Sequence, residues 1–244
     1  MRPLFKAGII CPCQIEYEKC KLILNLSNES NVSGRKVSSK KYKSWEVIAM
    51  FAGPGKIQCA SATQLAIDKF DADIMIDVGG TGSLVDELKL NDIIITKEAY
   101  EYDICEIENF VRFKHELTSK TMFCNISKEK KTYFEMAMKD MENLIDARIK
   151  FGNIASGEKT IKDKVTRDEL HSALNAHACN WETSSIIKTA NLNEIKALSI
   201  RVITDNADEN MERDFYDNWG QALEKLFLIL NNMFEQDLLY ELII

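Results

Sequence analysis

Three carboxylates stand where apolar segments of this chain give way to polar ones, and one arginine interrupts one of those segments. Asp205 follows the run Ala197 to Thr204 (A-L-S-I-R-V-I-T) and sits in the polar exit Thr204-Asp205-Asn206-Ala207-Asp208. Arg201 is the charge inside that run. Glu16 comes just after Leu4 to Cys11 and the turn Cys11-Pro12-Cys13-Gln14, and Glu182 opens a helical stretch in Asn180-Trp181-Glu182-Thr183. In open α/β sheets ligands bind at the carboxyl ends of strands, so carboxylates in these places suit general acid or base work. Each has a plainer reading. Asp205 serves equally as a cap for the segment that follows. Glu16 and Glu182 lie where a helix dipole favours negative charge.

Other chemistries find less support. The histidines His115, His171 and His177 have no metal-ligand spacing and assemble no Ser-His-Asp triad. Cys11-Pro12-Cys13 has no second cysteine pair, so a zinc site is not expected, and no metal or cofactor is implied. Gly53-Pro54-Gly55-Lys56 opens a helix and suits an anion, but its spacing is neither a P-loop nor a dinucleotide fingerprint. Gly79-Gly80-Thr81-Gly82 reads either as a close approach to a ligand or as a tight turn.

Those candidates must be held by something, and the composition bounds it. The chain has 244 residues, a net charge of −7 and 45% hydrophobic residues, which suits one large α/β domain over residues 1–244. The acidic balance argues against nucleic acid as a partner, and the basic run Ser33 to Lys43 reads as a solvated loop. No apolar segment is long enough to span a bilayer, and the apolar run behind Met1-Arg2-Pro3 is too short for a signal peptide. Seven cysteines, an odd and scattered set, read as reduced thiols of a cytoplasmic protein.

Periodicity then supplies the elements. Strands are expected at Leu4 to Cys11, Trp45 to Phe51, Asp73 to Val78, Leu88 to Thr96, Ala147 to Ala155 and Ala197 to Thr204, with a brief one at Ala176 to Cys179. Helices are expected at Ile15 to Leu26, Ile57 to Phe70, Lys128 to Leu144 and Asn180 to Ala190. Val165 to Ala176 is helical or irregular, Ser27 to Lys43 a loop or hairpin, and Glu98 to Phe110 has no clean period. An amphipathic helix from Phe215 to Tyr240 ends the pattern. Strands alternating with helices imply a mixed, mostly parallel central sheet flanked by helices.

Taken in order, these stations resemble the purine nucleoside phosphorylase and uridine phosphorylase superfamily, and most of all its hydrolytic branch, the 5'-methylthioadenosine/S-adenosylhomocysteine nucleosidases. The resemblance runs through G-I-I at Gly8 to Ile10 with Glu16, G-P-G-K at Gly53 to Lys56 and the glycine stretch Gly79 to Gly82. It continues through Leu88 to Ile95, Tyr102-Asp103, S-G-E at Ser156 to Glu158, Trp181-Glu182 and R-V-I-T-D-N-A-D at Arg201 to Asp208.

The resemblance implies roles. Asp205 matches the general acid that protonates a leaving purine at N7, and Glu16 the carboxylate that activates the attacking water. Glu182 matches the carboxylate that binds the ribose hydroxyls, Trp181 takes the place of a methionine under the sugar, and Arg201 lies behind water and ribose. Cys13, Pro54 and Phe215 fall at the pocket for the 5' substituent, and Gly80, Thr81 and Ile161 on the substrate's side of the site. The partner implied is a small-molecule nucleoside, the assembly a homodimer. Two carboxylates for the leaving group and the water also suit an oxocarbenium-like transition state, as in O-glycoside hydrolysis.

The chain departs from the branch at Gly80, where a serine is usual, at Thr160, where an aromatic residue stacks on adenine, and at Asn180, where an acidic residue is usual. The phosphate motif G-D-P-x-R of the phosphorylases is missing from G-I-I-C-P-C-Q. Water is therefore the expected nucleophile. The alternatives are a phosphorylase with a divergent phosphate site, a hydrolase of another 5'-modified nucleoside such as futalosine, and a catalytically silent nucleoside-binding protein.

Overall fold

The computed structural model describes residues 4–104 and 117–244. His115, Arg2 and the later part of the Glu98 to Phe110 stretch lie outside the described residues. The elements run β1 (Phe5–Cys11), α1 (Gln14–Ile23), β2 (Ser30–Val32), β3 (Arg35–Lys41), β4 (Trp45–Phe51), α2 (Lys56–Phe70), β5 (Ile74–Ser83) and β6 (Ile93–Glu101). Then follow β7 (Thr118–Lys120), α3 (Met122–Asn125), α4 (Lys128–Ile145), β8 (Ile149–Ser156), α5 (Lys164–Leu174) and β9 (Ala178–Asn180). The last are α6 (Thr183–Leu192), β10 (Lys196–Asp205), α7 (Met211–Glu235) and α8 (Leu238–Ile243).

The strands form one mixed sheet whose path β2-β3-β4-β1-β5 meets a closed ring. β5 pairs with β10, β10 with β6, β6 with β8, β8 with β9, and β9 again with β5. The inner strands β4-β1-β5-β10 are parallel. The ring and the hairpin add antiparallel pairings at β10–β6, β5–β9, β6–β7, β2–β3 and β3–β4. Parallel pairing continues in the ring at β6–β8 and β8–β9, so the sheet is mixed, with parallel strands in both its centre and its ring. Ring closure leaves these strands without the unpaired edges that an open sheet presents.

Alternate residues of the strands feed two cores. Ile9 and Cys11 pack in a cluster with Leu223, Phe227 and Phe234 of α7, whereas Ile10 packs with Ala62 and Ala66 of α2 and Ile186 and Ile187 of α6. Helices therefore cover both faces, as the run of β-branched residues in doubly buried strands requires.

Several boundaries differ from the sequence expectation for local reasons. The Gly79–Ser83 segment is no turn: β5 continues through it, with Gly79 paired to Arg201 and Gly80 to Val202. Leu88 to Asp92 precedes β6 as a turn, closed when the Lys89 N–H donates to Asp92 Oδ2 at 2.9 Å. α1 stops at Ile23, before Asn25 at φ 54°. The terminal helix starts earlier, at Met211, and breaks into α7 and α8 at Asp237, whose φ of 60° no α-helix continues through. β7 and α3 have no counterpart in the periodicity reading.

Candidate active site

β1, β5 and β10 lie side by side, so their carboxyl ends open on one cavity of about 330 Å³. Glu16, Glu182, Arg201 and Asp205 line it, and so do Cys13, Pro54, Gly80, Thr81, Ile161, Trp181 and Phe215. Every residue singled out from the sequence is therefore brought to one place.

Glu16 is positioned by the first turn of α1. As its third residue it reaches back and accepts the Cys13 N–H at 2.7 Å, the carboxylate half of a capping box. Its other oxygen accepts the Gly80 N–H at 3.0 Å, which ties the α1 start to β5. The helix-start reading and the chemical reading of Glu16 both hold. Gly79 makes this approach feasible: its φ of +141° and a Cβ that would collide with Glu16 Oε1 exclude any side chain. Gly79→Ala is expected to cost at least ~2 kcal/mol of stability, measurable as a lowered Tm, because the strain and the collision coincide. An unchanged Tm would show that β5 relaxes freely there.

Glu182 is the N-cap of α6, yet its side chain caps nothing. It turns instead to accept the Gly55 N–H at 3.2 Å and to face Arg201 Nη1 at 3.6 Å. The Lys56 N–H is likewise taken, by Glu158 at 2.7 Å. The amides at the start of α2, expected from the sequence to suit an anion, thus carry the protein's own carboxylates. Asn180 orients the Glu182 turn by accepting the N–H groups of Glu182 and Thr183 at 3.2 and 3.1 Å.

Asp205 owes its direction to a bulge. Ile203 pairs with Thr81 and Asp205 with Gly82, so Thr204 is an extra residue in β10. Both Thr204 and Asp205 therefore line the cavity, which strict strand alternation forbids. Thr204 Oγ1 donates to Asp205 Oδ2 at 2.9 Å and the Ala207 N–H to Oδ1 at 3.0 Å. Asp205 caps that local turn, whereas α7 begins at its own N-cap, Asn210. A Cβ at Gly80 would stand 2.8 Å from Thr204 Cγ2, so the threonine methyl occupies the space a serine side chain at position 80 would need.

The charged side chains of the site are nearly fully buried, which sets their protonation. Burial raises Glu16 to about 7, with Arg201 pulling down and Glu182 pushing up. Burial also raises Glu182, against the pull of Arg201. Asp205 is raised by burial despite the hydrogen bonds from Ala207 and Thr204. Burial holds the Cys13 thiol protonated. Glu16 and Asp205 are thus both raised by burial, and Glu16, at about 7, stands close to neutrality, where it can take up and release a proton. Carboxyls raised toward neutrality are suited to acid–base catalysis.

Behind the cavity, Asp77 binds the Arg201 guanidinium, and periodicity hides it because it sits wholly buried inside an apolar strand. Lys159, Lys162, Glu212, Tyr216 and Trp219 also border the cavity, the two lysines as exposed residues of the loop that carries Ile161. Among the described residues no cluster of His, Cys, Asp and Glu is arranged to hold a metal ion, and no helix is long and apolar enough to cross a membrane.

Known proteins share this arrangement of elements. The chain is 29% identical over 224 residues to a 5'-methylthioadenosine/S-adenosylhomocysteine nucleosidase of Buchnera aphidicola subsp. Acyrthosiphon pisum, covering 87% of this chain and 90% of the relative. It is 26% identical over 211 residues to the nucleosidase of the same name from Shewanella loihica, covering 86% and 90%. The Helicobacter pylori 5'-methylthioadenosine/S-adenosylhomocysteine nucleosidase bound to butyl-thio-DADMe-Immucillin-A superposes with a TM-score of 0.81 at 22% identity, over 96% of this chain and 99% of that one. The futalosine hydrolase of Helicobacter pylori also gives 0.81 at 22% identity, over 96% and 98%. The family model described as the phosphorylase superfamily matches residues 6–235, nearly the whole of the described fold and all of the cavity's acidic side chains, and the chain belongs to that superfamily.

Proposed function

We propose that the protein is a purine-nucleoside N-ribosyl hydrolase that cleaves 5'-modified adenosines of the methylthioadenosine and S-adenosylhomocysteine type. The observation that carries this reading is the placement of Glu16, Glu182 and Arg201 around Gly80 in the same cavity as the bulge-directed Asp205. Water held by Glu16 attacks C1' as the bond to the base breaks, and its proton passes to Glu16. Asp205 delivers its proton to N7, so the base leaves neutral. Glu182 accepts from the ribose hydroxyls, Arg201 backs the water and the sugar, and Trp181 lies beneath the ring. Cys13, Pro54 and Phe215 line the 5' end, while Gly80, Thr81 and Ile161 border the base.

Phosphate fits poorly as the nucleophile. A carboxylate at Glu16 would repel a dianion, by ~4 kcal/mol per unit charge pair at ~4 Å and an effective dielectric of ~20. Arg201 is already committed to Asp77 and Glu182, and the amides at the start of α2 are occupied. The test is a panel of nucleosides incubated with and without phosphate. Free base and free sugar, formed at the same rate in both, are expected; sugar 1-phosphate rising with phosphate would place the chain among the phosphorylases. Thr160, short and exposed where an aromatic ring would stack on adenine, favours a second reading in which the base or the 5' group differs, as in futalosine, and the same panel includes that nucleoside.

Glu182→Gln is expected to weaken ribonucleosides far more than 2'-deoxynucleosides, since a carboxylate accepts from both hydroxyls and an amide has only one acceptor oxygen. Equal losses of kcat/KM for the two classes would remove Glu182 from the sugar. The reading carries with it a cytoplasmic homodimer. The described cysteines are free thiols, in keeping with a reducing compartment. Sedimentation as a monomer would refute the dimer.

A further inference from the structure

Asp77 is buried in β5, between Ile10 of β1 and Ser199 of β10, and is the hub of a polar network inside an otherwise apolar layer. Its Oδ2 accepts from Arg201 Nε at 3.0 Å, from Ser199 Oγ at 2.7 Å and from Thr183 Oγ1 at 2.6 Å, and its Oδ1 accepts from Arg201 Nη2. Because Ser199 spends its proton on Asp77, Thr96 must donate to Ser199 in the 2.8 Å contact between their hydroxyls. Thr183 in turn accepts from Asn180 Nδ2 at 2.7 Å. Asn180 is the side chain that sets the turn at Glu182. One continuous chain of hydrogen bonds therefore joins the turn that aims Glu182 to the guanidinium that faces it.

Arg201 shows what this does. With Nε and Nη2 pinned by Asp77, the remaining nitrogen Nη1 is left to donate to Gly80 O at 3.2 Å and to face Glu182 at 3.6 Å. A bidentate carboxylate fixes a guanidinium plane in a way that a single contact cannot. The pair also neutralises a charge that would otherwise act more strongly on Glu16, since Arg201, Asp77 and Glu16 are all buried.

We infer that Asp77 is a positioning residue for hydrolysis: acting through Arg201 and Thr183, it holds the water-facing guanidinium in place and withholds its charge from Glu16. The inference rests on the proposed nucleosidase reading. The ionisable groups that bear on Glu16 are Arg201 of β10, Glu182 at α6, Cys11 of β1, Cys13 ahead of α1 and Cys59 of α2, with Asp77 of β5 behind Arg201. The three thiols are pushed up by burial and stay neutral across the working range, so Asp77, Glu182 and Arg201 set the local field.

The test is Asp77→Asn in the full chain, assayed for base release from 5'-methylthioadenosine across pH, beside a double-mutant cycle with Arg201→Lys. We expect kcat to fall about 10²-fold with a much smaller change in KM, as for a misplaced catalytic group. The acid limb of kcat/KM is expected to move down by about one unit, because an unneutralised arginine favours the ionised Glu16. The double variant is expected to lose no more than Arg201→Lys alone. If Asp77→Asn does not fold, Thr183→Val enters the same cycle, with a smaller loss of kcat expected and the same non-additivity with Arg201→Lys. A lowered Tm with kcat and the acid limb unmoved, or losses that add in either cycle, would make Asp77 a structural ion-pair partner and overturn the inference. Wild-type protein that releases no base from any nucleoside would instead refute the nucleosidase reading itself.

Discussion

Asp205→Asn is expected to lower the rate of base release by ~10²–10⁴, the usual cost of losing a general acid. Nucleoside affinity should stay within about tenfold, or about 1.4 kcal/mol, because the amide keeps the shape of the side chain and an acceptor for the Ala207 N–H. The bulge at Thr204 fixes both expectations. It aims residue 205 into the cavity whatever its chemistry, so binding survives while proton delivery does not. Burial keeps the wild-type carboxyl raised, which preserves its proton to a higher pH than an exposed aspartate would manage. Single-turnover measurement of released base, with binding read by titration calorimetry, separates the two effects. Turnover close to wild type would reduce Asp205 to the cap of its own turn.

Glu16→Gln is expected to abolish hydrolysis without loss of product binding, and to remove the acid limb of the pH profile. Glu16 must be ionised to accept the water's proton, and its carboxyl titrates at about 7, so wild-type kcat/KM should fall as pH drops through that value. The same shift acts on stability with the opposite sense. The folded-state value of about 7 lies above the ordinary 4.5, so between them the folded protein binds more protons than the unfolded chain. The Glu16 contribution to stability is therefore fully present below about 4.5 and is lost as pH rises through about 7. Glu16→Gln lacks this dependence, and its Tm relative to wild type should rise across that interval. Parallel Tm curves for the two proteins would mean that Glu16 titrates like an ordinary carboxylate, and the pH-profile argument would go with it.

The acidic side chains of the site could be read from the sequence because each lies just past an apolar run, at a polar exit or at the start of a helix. Asp205, Glu16 and Glu182 announce themselves this way. Asp77 does not. It lies within D-I-M-I-D-V, and its partners Thr183 and Ser199 are 106 and 122 residues distant along the chain. Only the register of β5 against β10, for Ser199, and the packing of α6 onto β5, for Thr183, reveal them. Gly79 to Ser83 reads as a turn because glycine is permissive. It is a strand because paired neighbours hold it extended, and the missing side chains admit Glu16 and Arg201. The Thr204 bulge leaves no local mark either, since it arises from Thr81 and Gly82 opposing three residues of β10. The break at Asp237 leaves no trace in the periodicity because apolar spacing continues across it into Leu238 and Leu239.

The closed ring of strands also has a consequence for how the molecule comes into being. β5 pairs along most of its length with β10, the last strand made. During synthesis β5 emerges with that side bare and stays so until residues beyond 196 have left the ribosome. Contacts this distant in sequence form slowly and late, and a waiting apolar strand is an aggregation hazard. Fragments ending before β10 should therefore be insoluble and inert together, since the strand that seals the ring is also the one that carries Arg201 and Asp205.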